Sequence, residues 1–186
     1  MMDFRKTGDA ALAEIGQVWG AVDPAEAEAL AGAIADAGRI ALYGVGREGL
    51  MIKAFAMRLF HLGLDAHVVG DMTTPPLGRG DLLIVSAGPG MFSTVAGLVG
   101  VARRAGAATA CFTAQPGGEV PKMCNTVLVL PAQTMADDRG GKVSVLPMGS
   151  LYEGVQFLAG EVLILMLAEK LGVSAEAMRA NHTNLE

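Results

Sequence analysis

Aromatic residues are scarce in this chain, 5% of 186 positions, and basic residues are outnumbered, 14 Lys and Arg against 19 Asp and Glu. A net charge of −5 without a basic cluster argues against nucleic acid as a partner. There are only two cysteines and three histidines, with no metal-ligand spacing among them. Neither a disulfide framework nor a metal is therefore expected, and Cys111 and Cys124 are expected to be buried reduced thiols. The longest strongly apolar run, Val162 to Ala168, lies between Glu161 and Glu169 and is far short of a membrane span, so no membrane contact is expected. The opening Met-Met-Asp-Phe-Arg-Lys lacks the apolar core of a secretory signal, which predicts a cytoplasmic protein.

What the chain has in plenty is aliphatic surface: 52% hydrophobic residues and a mean hydropathy of +0.42, carried by Ala, Val, Leu and Met. The length suits one domain over 1–186, with N-terminal helices at 4–37, a core at 39–131, and a long helix and tail at 148–186. That is more apolar surface than one such domain hides, which predicts contacts between subunits.

The organising stretch runs from Asp81 to Gly106. Leu82 to Val85 is a continuous apolar run that reads as a strand buried on both faces of a parallel sheet. It ends in Ala87-Gly88-Pro89-Gly90-Met91, after which Ser93 and Thr94 are placed to cap a helix ending at Gly106. Strand, glycine loop and helix start together aim backbone N–H groups and a positive dipole end at an anion or polar ligand.

Further strands are expected at Ile40–Tyr43, His67–Val69, Ala107–Thr113 and Thr126–Leu130, alternating with helices. One of these helices begins near Leu50, after a glycine loop from Gly44 to Gly49. Asp23-Pro24-Ala25-Glu26 reads as an N-cap, a proline at the first helical position and a capping-box glutamate. A polar loop from Gln133 to Lys142 leads to a long helix, Met148–Leu171, and Ser174 opens a short last one. This alternation predicts a three-layer α/β/α sandwich around a five-stranded parallel sheet in the flavodoxin-like order 2-1-3-4-5. Ligands then bind beyond the carboxyl ends of strands one and three, which places Gly44–Gly49 beside Ala87–Met91. The Gly44-Val-Gly-Arg-Glu-Gly49 spacing matches a dinucleotide fingerprint, but the Thr-Thr-Pro-Pro after Asp71 is unlike a ribose-binding turn, so nucleotide is not expected.

Several collinear blocks carry a resemblance: Tyr43-Gly-Val-Gly-Arg47, Lys53-Ala-Phe-Ala-Met-Arg-Leu59 with His61-Leu-Gly63, Val68-Val-Gly70 with Thr73-Thr-Pro75, Gly80-Asp-Leu-Leu-Ile84, Leu146-Pro-Met-Gly-Ser-Leu-Tyr-Glu153, and His182 with Asn184-Leu-Glu186. Together they resemble the sugar isomerase (SIS) domain family, and within it the 6-phospho-3-hexuloisomerases. The resemblance implies a homotetramer that shifts a carbonyl along a phosphorylated sugar through an enediol, as from 3-hexulose 6-phosphate to fructose 6-phosphate. It implies no metal or redox cofactor. It marks Glu153 as the base, with His182 or His61 assisting and His182 able to reach a neighbouring subunit's cleft. Gly46, Arg47, Glu48, Thr73, Ala87, Gly88, Gly90, Met91, Ser93 and Thr94 are the expected substrate contacts.

One departure stands out. The family loop after strand three reads Ser-Gly-Ser-Gly-Glu-Thr, where this chain has Ala87-Gly88-Pro89-Gly90-Met91-Phe92, and Glu48 stands where the family commonly has Ser. Three lost hydroxyl donors to a charged group, at roughly 1.5–3 kcal/mol each, remove about 4.5–9 kcal/mol before compensation. The first expectation is therefore an isomerase acting on an unphosphorylated sugar or one carrying another anion such as a sulfonate. The alternatives are an ordinary 6-phospho-3-hexuloisomerase and, from another class, a non-catalytic sugar sensor. The residues before the first strand are too few for the DNA-binding domain that such a sensor needs.

Overall fold

The computed structural model describes residues 2–139 and 144–185; the end of the polar loop expected up to Lys142, and Glu186 of the C-terminal block, lie outside them. Five parallel strands, β1 (Ile40–Tyr43), β2 (Ala66–Val68), β3 (Leu82–Ser86), β4 (Ala108–Thr113) and β5 (Thr126–Val129), form one sheet in the order β2-β1-β3-β4-β5. The expected class and strand order both hold.

Strand alternation divides the core in two. Ile40, Leu42, Leu82, Ile84, Ala110, Phe112 and Leu128 face α1 (Phe4–Trp19), α2 (Pro24–Ala35), α3 (Gly46–His61) and α6 (Ser150–Leu171). Ala41, Leu83, Val85 and Cys111 face α4 (Ser93–Ala105) and α5 (Glu119–Met123). β3 lies in the middle of the sheet and is buried at all five positions, as its unbroken apolar run requires.

Helix α6 is 22 residues long and contains an 18-residue stretch of mean hydropathy 1.5, so by length and composition it reaches the membrane-span range that the strictly apolar run does not. Half of that stretch is buried inside the fold, and the helix packs against α1, α2 and α3. It is the central helix of its layer. The short last helix, α7 (Ala175–Ala180), begins as expected, with Ser174 Oγ accepting from Ala177 N at 3.2 Å.

Three local expectations are corrected. Helix α3 starts at Gly46 rather than near Leu50, because Gly44 and Gly49 let its first turn close onto the end of β1: a Cβ at Gly49 would lie 2.4 Å from the Gly44 carbonyl oxygen. Asp23 does cap α2, accepting from Ala25 N at 2.8 Å, but Glu26 makes no capping box. Its carboxylate instead accepts the Val129 N–H at 2.7 Å, a donor on the edge strand β5. Ser93 and Thr94 do not cap α4 either; Phe92 is the N-cap residue and supplies no side-chain bond.

Candidate functional site

The strand order reverses between β1 and β3, and a cavity of about 260 Å³ opens there, beyond the carboxyl ends of the strands. Its walls come from the first turns of two helices and from two loops: Gly46, Arg47 and Glu48 of α3, Tyr152 and Glu153 of α6, Pro89 and Phe92 after β3, and Thr134 with Met135 after β5. Most of this lining is apolar, so the charged groups act in a partly dried space.

Glu48 is buried. Its Oε2 accepts from Ser86 Oγ at 2.6 Å and from Gly88 N at 2.9 Å, and the Tyr152 hydroxyl lies 3.2 Å from the same Ser86 oxygen. Burial pushes the Glu48 carboxyl above the ordinary carboxylate range, the Ser86 and Gly88 donors pull it back, and the Glu153 charge adds to the rise. Tyr152, fully enclosed and next to Glu48, has its phenol pushed well up by burial, so it remains a neutral hydroxyl. Gly88 is required here: a Cβ would stand 2.8 Å from Glu48 Oε1 and 2.9 Å from the Tyr152 ring.

Glu153 sits opposite, with 16% of its side chain exposed, and pairs with Arg47 Nε at 2.9 Å. Arg47 also donates from Nη2 to the Met148 carbonyl at 2.7 Å, which ties α3 to the turn that starts α6. That turn is unusual, because Met148 has φ 55° and Gly149 φ 82°, two successive left-handed residues. Burial raises the Glu153 carboxyl and Arg47 opposes the rise. Because Arg47 is half exposed, the pair contributes at most about 1 kcal/mol and acts chiefly to orient the carboxylate. Two carboxylates in one apolar cleft, one guanidinium-paired and one held by neutral donors, suit a reaction that takes a proton from one carbon and returns it to the next.

The expected site residues divide into those the fold gathers and those it does not. Gly46, Arg47, Glu48 and Glu153 line the cavity, and Gly88 touches it through Glu48. Ala87 is fully buried behind the wall, and Gly90 is enclosed against Gln115 and Gly118. Met91, Ser93 and Thr94 are exposed at the rim and outside the lining, and Thr73 is exposed on the β2–β3 connection. His61 and His182 do meet each other, with ring centroids 5.1 Å apart, but in a different hollow with Met57, Arg58 and Met178. His61 lies thirteen positions beyond Glu48, about 20 Å along α3, and His182 is beside it, so neither imidazole reaches the cleft of its own chain. Tyr152, Ser86, Phe92 and Met148 were not expected. Tyr152 stands next to Glu153 in the quoted block, and helical spacing from the buried Val155 and Gln156 would have turned it inward. Among the described residues no three His, Cys, Asp or Glu side chains converge as a metal-ligand set.

No protein-family model matches the chain. Curated relatives do: a 3-hexulose-6-phosphate isomerase of Mycobacterium gastri is 38% identical over 173 residues, 93% of this chain and 86% of that protein. The chain belongs to the 3-hexulose-6-phosphate isomerase branch of the sugar isomerase (SIS) family. The Bacillus subtilis (strain 168) 3-hexulose-6-phosphate isomerase is 37% identical over 161 residues, 87% of each chain. Among solved structures, a Methanococcus jannaschii protein whose crystal structure infers a function of 3-hexulose-6-phosphate isomerase superposes with a TM-score of 0.80. It is 25% identical, over 97% of both chains. This sugar isomerase is thus an enzyme of aldose–ketose type, and its cleft lies at the switch point where the sequence places it.

Proposed function

We propose that the cleft isomerises a hexulose 6-phosphate through an enediol, with Glu153 as the base. The carrying observation is the Glu153 carboxylate: it lines the cavity, is fixed by Arg47 at 2.9 Å, and has its basicity raised by burial. Glu153 takes the proton from the carbon next to the carbonyl as the carbonyl oxygen gains one to form the enediol, then returns its proton to the former carbonyl carbon as the neighbouring hydroxyl loses its own to water. Arg47, at the same wall, is placed to stabilise the enediolate oxygen. The names of the relatives favour the phosphorylated substrate over the free or sulfonated sugar expected first from the altered loop. That second reading keeps one specific observation in its favour, the Glu48 carboxylate seated on the Gly88 amide.

A homo-oligomer, the tetramer implied by the resemblance, fits the apolar side chains left exposed on α3 and α6, among them Leu50, Met57, Phe60, Phe157 and Leu165. In such an assembly the His61–His182 pair of one chain would complete the cleft of another and assist ring opening. The free thiols Cys111 and Cys124 fit a reducing compartment.

Deuterium exchange from solvent into fructose 6-phosphate, followed by proton NMR, tests the assignment. Glu153→Gln is expected to slow exchange by about 10²–10⁴-fold while melting near the wild type. A loss below about tenfold would remove Glu153 from the role of base.

A further inference from the structure

The β3–α4 connection has the form of an anion site, a strand running through glycines into a helix start, yet its inner amides are already committed. Ala87 N donates to Phe112 O at 2.9 Å, Gly90 N donates to Ala87 O at 2.8 Å, and Pro89 has no N–H. The remaining donor, Gly88 N, is held by Glu48 Oε2, which also takes the Ser86 hydroxyl. A carboxylate of the protein itself therefore stands where an incoming anion would bind. It is fixed there by packing, since Glu48 is buried and the Gly88 position leaves no room between Glu48 and Tyr152. Its second oxygen, Oε1, accepts from no donor among the described residues, and Glu48 lines the cavity that Glu153 faces.

We infer that Glu48 is a specificity-determining residue: its carboxylate fills the anion place of the loop and offers Oε1 to a sugar hydroxyl, directing any phosphate of the substrate away from residues 87–90. This rests on the sugar-isomerase reading and adds to it which substrate group enters this end of the cleft. A negative charge brought against Gly88 meets a like charge with no amide to accept it. A hydroxyl finds an acceptor. A sugar phosphate must then lie with its uncharged hydroxyls toward Glu48 and its phosphate toward the rim, whereas a free hexulose meets no such constraint.

Inorganic phosphate is the probe, titrated into ¹⁵N-labelled wild type, Glu48→Ser and Glu48→Gln. In the wild type the Gly88 amide resonance is expected to stay fixed. In Glu48→Ser that amide is released and its resonance shifts, with phosphate bound about tenfold or more tightly, the value of one regained hydrogen bond to a charged group. Glu48→Gln keeps its side-chain carbonyl on Gly88 and loses only the charge, so it gains less and its Gly88 resonance stays still. A wild-type Gly88 amide that responds to phosphate, or a Glu48→Ser affinity within about twofold of wild type, overturns the inference. Should Glu48→Ser not fold, an unchanged phosphate affinity in Glu48→Gln overturns it equally. Solvent exchange into fructose 6-phosphate, measured on the same wild-type sample, separates the two claims. Absent exchange with the phosphate ranking intact defeats the isomerase reading alone.

Discussion

Gly49 and Gly97 are both helical glycines, and the same substitution to alanine is expected to act in opposite directions at the two. A Cβ at Gly49 would stand 2.4 Å from the Gly44 carbonyl oxygen and 2.9 Å from its carbon, backbone against backbone, with no side chain to swing away. Ordinary contact requires the start of α3 and the end of β1 to part by about 1 Å. Forced overpacking of this kind costs about 1–3 kcal/mol. At about 2–4 °C per kcal/mol for a chain of this size, the melting temperature falls by about 2–12 °C. The same movement carries Arg47 and Glu48, which occupy that first turn, and a displacement near 1 Å at a reacting site costs about 10²-fold in rate. Gly97 lies exposed within α4 with nothing within 4 Å of a Cβ. Gly97→Ala should therefore stabilise by about 0.4–1 kcal/mol and raise the melting temperature by about 1–4 °C, with activity unchanged. Calorimetry and the exchange assay on both variants decide the matter. If Gly49→Ala melts within about 1 °C of wild type at full activity, the close approach is not what positions the site.

The buried carboxylate gives a pH-dependent prediction. In the folded chain Glu48 holds its proton more tightly than in the unfolded one, so its contribution to stability is lost as pH rises from the ordinary carboxylate range through the folded pKa, and stays lost above it. The groups around it are Arg47 on α3, Tyr152 and Glu153 on α6, and Cys111 on β4; Glu153 is shifted in the same direction and is present in the wild type and in Glu48→Gln alike. Glu48→Gln should gain stability over wild type at about pH 8 relative to about pH 4 in urea unfolding, and a flat or opposite difference contradicts the burial argument. At the other end of the fold, Asp23→Ala removes the 2.8 Å cap bond to Ala25 and is expected to cost about 1 kcal/mol, seen as a lower urea midpoint with unchanged activity.

The fold was largely legible because its signals are local. Leu82–Val85 had no polar residue to place on a wet face, so it belonged inside a sheet covered on both sides, and Asp23-Pro24 announced the start of α2 through its own chemistry. Glu26 was misread because its partner, Val129, is 103 residues away. The start of α3 was misplaced for a related reason. Glycines at 44, 46 and 49 look like a loop along the chain, and only the packing of one backbone on another turns the last two into a helical first turn.

The amino-acid sequence alone determined the sheet, its strand order, the end of the sheet at which the cleft opens and the place of Glu153 at a helix start, since hydrophobic period and turn residues act over a few neighbours. Tertiary structure decided which titratable groups share that cleft. It brought Glu48 onto the Gly88 amide and Arg47 onto Glu153 and kept His61 and His182 at the far end of α3, because contacts between residues 40 to 121 positions apart depend on how whole elements pack.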